Sequence, residues 1–576
     1  MTHPLERAVK AYDVRGVVGE DLDEAAFDAL GEAFVRTGVA GPAPTRVVVG
    51  HDMRPSSPDL AEAFARGAAR AGAHVELLGL TATDQLYLAS GLRDAGGAMV
   101  TASHNPARYN GLKLCRPGAR AVSLDDGLAE VRDAALATLA GAAPGPAAAQ
   151  GEVVRRDSLA EYAAHLRGLV DLSAGRPLRV VVDAGNGMAG LTVPAVLGTV
   201  AGLPALPVDL VPLYWELDGS FPNHEANPLD VSTLTDLQAA VVAEGADAGL
   251  AFDGDADRCV LVDETGRVVD ASAVTALVAR TEVARARASG EAEPVVLHNL
   301  ITSRVVPEVV SAAGGRSVRT RVGHSYIKAE MARTGAVFGG EHSAHYYFRD
   351  FYGADSGMLA ALHVLAALGR SPAGTTLSSL VADYAPYARS GEVNSTVGDA
   401  AAATARAVAA AEAWGEPVDV DRLDGTTVSA GDGSWWFNLR PSNTEPLLRL
   451  NVEAGDEATM TRVRDDVLAV VRTDPQVDPE EEPVSASTSA APEGAGDRPL
   501  VEPWLREVLR CPACRSTLAD GTGDDGQPRL RCTQDAPDPG DGAEALDRPA
   551  ACGRSYPFDR GVPVLLVDEG VLPSAG

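Results

Sequence analysis

The chain has 576 residues, 45% hydrophobic and 22% charged, an ordinary globular composition whose length accommodates about four domains. Its 80 acidic and 49 basic side chains give a formal net charge of −31, which opposes nonspecific binding to nucleic acid or anionic membranes. An anionic substrate would need a local cluster of Arg and Lys, and with no apolar run of spanning length and no signal-peptide pattern, the expected location is the cytoplasm.

In chain order, Lys10-Ala11-Tyr12-Asp13-Val14-Arg15-Gly16 precedes an amphipathic helix over Glu24–Arg36. A strand at 46–50, a helix at 59–71 and a strand at 74–78 follow, an alternation that predicts α/β architecture with a largely parallel sheet. The apolar run 97–100 then leads into Thr101-Ala102-Ser103-His104-Asn105-Pro106, which presents Ser103 on a loop that Pro106 keeps from winding into helix. A serine alone is a poor nucleophile and needs a base, a metal or a phosphate already in place. His104, next to it at a strand end, is expected to point the other way, while Lys113 lies within reach. An Ala/Gly/Pro stretch at 139–150 marks a boundary.

A second unit begins with a strand at 179–183 and the loop Ala184-Gly185-Asn186-Gly187-Met188-Ala189-Gly190, read as a tight strand-to-helix connection because no ribose-binding acid follows at the expected distance. Phe252-Asp253-Gly254-Asp255-Ala256-Asp257-Arg258 is more informative. Three carboxylates at alternate positions converge on one cation only from a tight turn, and all-oxygen ligation suits Mg²⁺ or Ca²⁺. An EF-hand is opposed by Arg258 at the position that needs glycine and by strand-like flanks, and Mg²⁺ is preferred.

The third unit carries Arg321-Val322-Gly323-His324-Ser325-Tyr326-Ile327-Lys328 and Gly339-Gly340-Glu341-His342-Ser343-Ala344-His345. Alternation there would project Glu341 and Ser343 together toward sugar hydroxyls, with His324, His342 and His345 close by. In the fourth unit, two strands flank Arg440-Pro441-Ser442-Asn443-Thr444-Glu445-Pro446. Its guanidinium fork, hydroxyls and amide form a donor-rich loop suited to phosphate.

Together these stretches resemble the α-D-phosphohexomutase superfamily, most closely its phosphomannomutase/phosphoglucomutase branch, over about residues 5–473. The resemblance implies three related α/β domains and a smaller α+β domain around one cleft, assigned here to residues 1–150, 151–265, 266–375 and 376–473. It implies that Ser103 is carried as phosphoserine and that Asp253, Asp255 and Asp257 hold Mg²⁺ together with a phosphoserine oxygen. Glu341 and Ser343 match the sugar-reading loop, and Arg440, Ser442, Asn443 and Thr444 the phosphate clamp. Arg15, His104, Lys113, Arg258, His324 and His345 match positions lining the cleft, with His345 and Lys113 both open as general base.

The implied reaction interconverts hexose 6-phosphate and hexose 1-phosphate through a hexose 1,6-bisphosphate. The His-Ser-Ala-His sugar loop points to mannose phosphate, with glucose or glucosamine phosphate as alternatives. Two departures touch that loop: Ala344 stands where many members have Gly, and His342 where Met, Glu or Gln is commoner.

Residues 474–500 are rich in Pro, Glu, Asp, Ser and Ala and read as a disordered acidic linker. Four of the six cysteines then fall in residues 501–570, as Cys511-Pro-Ala-Cys514, Cys532 and Cys552, a pattern that suits tetrahedral Zn²⁺. This module resembles the small zinc-ribbon proteins that activate methyltransferases, except that Cys532 and Cys552 are far apart. It could serve docking to a protein partner, self-association or regulation. The alternative from another class is a mutase-like scaffold that acts through this ribbon.

Overall fold

Short runs of Val, Leu and Ala with few charges make strands buried on both faces, the pattern of parallel strands covered by helices. The computed structural model describes residues 3–142, 150–441, 447–473, 517–522, 528–532, 555–559 and 562–563. It divides into two units, 1–477 and 478–576. In the first sheet Arg46–His51 lies between His74–Leu80 and Gly96–Val100, parallel to both, and Val153–Arg155 extends it on the far side. The second has Leu178–Asp183 parallel to Val208–Leu213 and Ala248–Phe252, and the third has Val295–Asn299 parallel to Arg316–Thr320 and Phe338–Gly340.

All three sheets are mixed rather than largely parallel, and the difference has one cause. Gly96–Val100 returns through the Ser103 loop into antiparallel Tyr109–Arg116. Ala248–Phe252 returns through the aspartate turn into Cys259–Asp263, and Phe338–Gly340 through the Glu341 turn into Tyr346–Phe348. These connections are too short for the crossover of a dozen or more residues that a parallel return requires. Each chemically distinctive loop therefore occupies the same position, a hairpin at the C-terminal end of a parallel strand.

The helix Thr83–Arg93 brings these hairpins to one place. Its first turn donates from the Thr83 backbone N–H to the Asp255 carbonyl (3.0 Å) and from the Thr83 hydroxyl to Asp255 Oδ2 (2.6 Å). Buried Asp84 accepts from Tyr162 OH (2.7 Å) and Ser356 Oγ (2.6 Å), tying the second and third α/β units to the first. A fourth, wholly antiparallel sheet runs Ala388–Thr396, Leu447–Ala454, Trp435–Pro441, Thr426–Ala430, Val418–Asp421, with Ala400–Glu412 and Glu457–Val471 packed on it.

In the second unit Leu518–Thr522, Pro528–Cys532, Ser555–Asp559 and Val562–Pro563 pair antiparallel in sequence order, and Cys532 is buried. The expected linker and Cys511, Cys514 and Cys552 lie outside the described residues.

Candidate active site

Ser103 sits in the left-handed region (φ 50°), its N–H held by Thr101 Oγ1 at 2.9 Å. The turn drives its Oγ across to the second domain, where it donates to Asp253 Oδ2 at 2.8 Å. Because the backbone is not extended there, strand alternation fails and His104 does not point away: its Nδ1 lies 3.3 Å from Ser103 Oγ. Gly254 permits the approach, since a Cβ at that position would meet the Ser103 carbonyl oxygen at 2.5 Å. The Ala184–Gly190 loop does not face the serine; Met188 N–H donates to the Gly254 carbonyl (2.9 Å) and buttresses the aspartate turn.

Ligand atoms of Asp253, Asp255 and Asp257 lie within 4.8 Å of one another, and all three side chains are buried. Asp255 Oδ1 and Asp257 Oδ1 have no hydrogen-bond partner, so a cluster of buried carboxylate oxygens faces inward without donors. Lys113 Nζ donates to Asp255 Oδ2 (2.7 Å) and Asp257 Oδ2 (2.6 Å). Burial alone would lower the Lys113 pKa, but the two carboxylates hold it well above its ordinary value. Burial pushes Asp255 up, yet Lys113 outweighs it and keeps that carboxyl below the usual range. Asp253 is raised, by burial and by the charge on Asp257.

Arg258 donates from Nε to Asp253 Oδ2 (3.0 Å), from Nη2 toward Ser103 Oγ (3.4 Å), and to His104 Nδ1. Burial and then the Arg258 charge depress the His104 pKa to about 2, so this imidazole is a neutral acceptor at any working pH. Arg15 donates to Asp13 Oδ2 (2.7 Å) and Asn105 Oδ1 (2.7 Å), which places a second guanidinium on the serine loop.

His345 approaches from the third domain. Its Nδ1 is 3.0 Å from Asp355 Oδ2 and 4.0 Å from Asp257 Oδ1, and Lys328 Nζ sits 2.6 Å from Asp355 Oδ1. Asp257, His345 and Asp355 also have metal-ligand spacing, but Lys328 already supplies the positive charge there. Glu341 and Ser343 lie on a turn rather than on the strand whose alternation was expected. Ala344 N–H bonds back to the Glu341 carbonyl (3.2 Å), Ala344 takes φ 59°, and the segment is a turn. Glu341 is buried, accepting from Gly323 N–H (3.0 Å), Asn299 Nδ2 (3.2 Å) and Tyr347 OH (2.8 Å), while Ser343 is half-buried. His342 meets Asn299 Nδ2 at 3.0 Å. His324 opens the helix His324–Thr334, and its side chain is outside the described residues, as are Ser442, Asn443 and Thr444.

Arg440, next to last in its strand, lies directly opposite Arg449, with Glu392 between them (3.8 and 3.2 Å). Two arginines in register repel unless an anion joins them, and one Glu half-compensates the pair.

Sequence reasoning passed over Arg449, Asp355 and above all Arg54. Arg54 is fully buried and donates to the carbonyls of Ser103 (2.8 Å), Asn105 (2.6 Å), Pro106 (2.9 Å) and Tyr109 (3.0 Å), with Asp52 balancing its charge. Its place just past the C-terminal end of Arg46–His51, where α/β sheets assemble ligand sites, was the available signal.

Comparison with known proteins agrees with this arrangement. Models of the phosphoglucomutase/phosphomannomutase family match in order: α/β/α domain I at 6–135, domain II at 160–266, domain III at 270–387 and the C-terminal domain at 392–470. The chain belongs to that family. It is 42% identical over 459 residues to phosphohexose mutases of Xanthomonas campestris pv. campestris, covering 79% of this chain and 97% of the relative. It is 40% identical over 462 residues to a phosphomannomutase of Salmonella typhimurium, covering 79% and 96%. Among solved structures, a phosphoglucomutase/phosphomannomutase family protein from Burkholderia thailandensis superposes with TM-score 0.70 at 29% identity, covering 82% of this chain and 98% of that one. The family models end at residue 470, before the cysteine-bearing tail.

Proposed function

We propose that this family member is a phosphohexose mutase of the phosphomannomutase type, which moves a phosphoryl group between O1 and O6 of a hexose by way of Ser103. The observation that carries the reading is the contact of Ser103 Oγ with Asp253 Oδ2 at 2.8 Å, made across 150 residues between two hairpins and flanked by Arg258 and Lys113. Such a site fits phosphoryl transfer, which demands charge neutralisation and positioning more than covalent novelty.

Asp253, Asp255 and Asp257, the last two each with an undonated oxygen, would hold Mg²⁺, which would supply charge neutralisation to a phosphate on Ser103. Arg258 and Arg15 bring cations to the transferring group, and neutral His104 orients Arg258. Lys113 bridges two carboxylates and serves as a fixed positive charge rather than a base. His345 suits the base role: with Nδ1–H donating to Asp355, its lone pair falls on Nε2. Arg440 and Arg449, with the adjoining Ser442, Asn443 and Thr444, would grip the substrate's non-reacting phosphate and so orient the hydroxyl presented to Ser103. A hexose 1,6-bisphosphate formed on transfer would turn over in the cleft before the serine is rephosphorylated. A hexose phosphate substrate supports a cytoplasmic location, and among the described residues no helix is long and apolar enough to cross a membrane. Cys511, Cys514, Cys532 and Cys552 would hold a structural Zn²⁺ in an appended module suited to a protein partner.

The test is turnover of mannose, glucose and glucosamine 1-phosphates with Mg²⁺ and a trace of hexose bisphosphate. It is paired with transfer of labelled phosphate from the bisphosphate to the protein. Mannose 1-phosphate should be preferred, and Ser103→Ala should lose label and about 10³-fold or more in kcat. A serine variant within tenfold of the parent would overturn the assignment.

A further inference from the structure

Residues 116–126 of the first domain face the helix His324–Thr334 and residues 349–353 of the third across a cavity of about 750 Å³. That volume is in the range of small-molecule sites, and of the lining residues only Lys328, through its bond to Asp355, touches the catalytic constellation. Its ionisable wall is Arg116, Arg120, Lys328 and Arg349 against one carboxylate, Asp126. In a chain of net charge −31, four cations against one carboxylate on a single wall are a local departure in sign.

Three of those cations are compensated: Arg116 by Asp126 (2.8 Å), Lys328 by Asp355 (2.6 Å) and Arg349 by Glu291 (3.0 Å). Arg120 is not. It donates only from Nε to the Pro117 carbonyl (3.2 Å) and meets no carboxylate among the described residues. The backbone presenting it is fixed by a tight turn: Gly118 is left-handed (φ 75°), Ala119 takes the same region at a cost (φ 56°), and Ala119 N–H is held by Ser90 Oγ (3.1 Å). Across the cavity Tyr352 is left-handed as well (φ 60°), a conformation that costs a non-glycine residue about 1 kcal/mol or more. Its ring packs on Gly91, where any Cβ would collide with it, yet the residue remains 38% exposed. The cavity thus joins an uncompensated guanidinium to a partly open aromatic face.

We propose that this cavity binds a phosphorylated small molecule carrying a flat ring, of the mononucleotide class, with its phosphate on Arg120 between Arg116 and Arg349 and its ring against Tyr352. A metal cation is excluded by the four positive side chains. A sugar phosphate fits poorly, because the only carboxylate on the wall able to accept from ring hydroxyls, Asp126, is already taken by Arg116.

Titration calorimetry on the full chain, with AMP as probe and excess mannose 1-phosphate present to fill the catalytic cleft, tests this. AMP should bind with a stoichiometry of one, and adenosine and ribose 5-phosphate should each bind at least tenfold more weakly. Arg120→Glu, a change at an exposed side chain, should weaken AMP at least tenfold and leave mannose 1-phosphate turnover within twofold of the parent. Absence of AMP binding up to several millimolar, or equal affinity in Arg120→Glu, would overturn the site. Adenosine binding as tightly as AMP would remove the phosphate from it, and ribose 5-phosphate doing so would remove the ring; either result also defeats the proposal.

Discussion

Ser103, Ala256 and Ala344 hold left-handed backbone (φ 50°, 60° and 59°) at equivalent points of three hairpins. For an L-residue with a Cβ this costs about 1 kcal/mol each, and the cost recurs where the chain must break strand alternation. At Ser103 the consequence is chemical: Oγ and the His104 ring fall on the same side, within reach of Arg258. At Ala344 it closes the Glu341 turn, although the methyl group is itself buried in the core. Ala344→Gly should therefore leave the stability of the first unit within about 1 kcal/mol of the parent, the relief of strain offsetting the added chain entropy and the lost methyl contacts. Denaturant midpoints would show it, and a loss well beyond that would mean the strain argument is wrong. Ser103, Asp253, Asp255, Asp257 and Arg258 were legible because each motif places its groups within a few residues. The orientations of His104 and Glu341 were not legible, because a single φ value reverses them and neither sequence position betrays it.

At the scale of elements, the buried arginine after Arg46–His51 does what the serine loop cannot do for itself. Residues 103–109 turn several carbonyls inward, and buried carbonyls without donors are costly. Arg54 satisfies those of Ser103, Asn105, Pro106 and Tyr109 with one planar fork, and Asp52 keeps it charged although burial pulls its pKa down. It is a positioning residue, acting through the loop rather than on substrate. Lysine cannot reproduce the fork, since it offers three donors from one point. Arg54→Lys is expected to lower kcat by tenfold or more while KM, which the proposed phosphate grip at Arg440 and Arg449 would set, moves less than threefold. A shared collapse of both constants would indicate general unfolding, and an unchanged kcat would show that the loop holds without its pin. Strand and helix positions were readable from periodicity, Glu24–Arg36 residue for residue. Arg54 and Arg449 escaped because their partners lie tens of residues away in sequence or across a strand register.

The whole molecule depends on a joint that lies outside the reaction centre. Asp84 joins the first three domains through its own helix, Tyr162 and Ser356. Burial pushes its carboxyl up to about 7; the Ser356 and Tyr162 hydroxyls pull it down, and the charge on Asp257 pushes it up again. Both donors serve Oδ2, while Oδ1 is buried with no hydrogen-bond partner, so the ionised form is poorly solvated here. The sign follows from linkage. The folded pKa lies above the unfolded value, so the folded state binds the extra proton, and its stabilising effect is complete below about pH 4. It is lost as pH rises from there through about 7, by an amount on the order of a few kcal/mol. Asp84→Asn keeps an acceptor for both hydroxyls and cannot ionise. Its melting temperature should match the parent near pH 4.5 and exceed it by a few degrees at pH 8, so that the difference grows across that window. Parallel pH profiles for the two proteins would show that Asp84 stays ionised in the folded joint, and that the three domains are clipped together by a charge rather than by a shared proton.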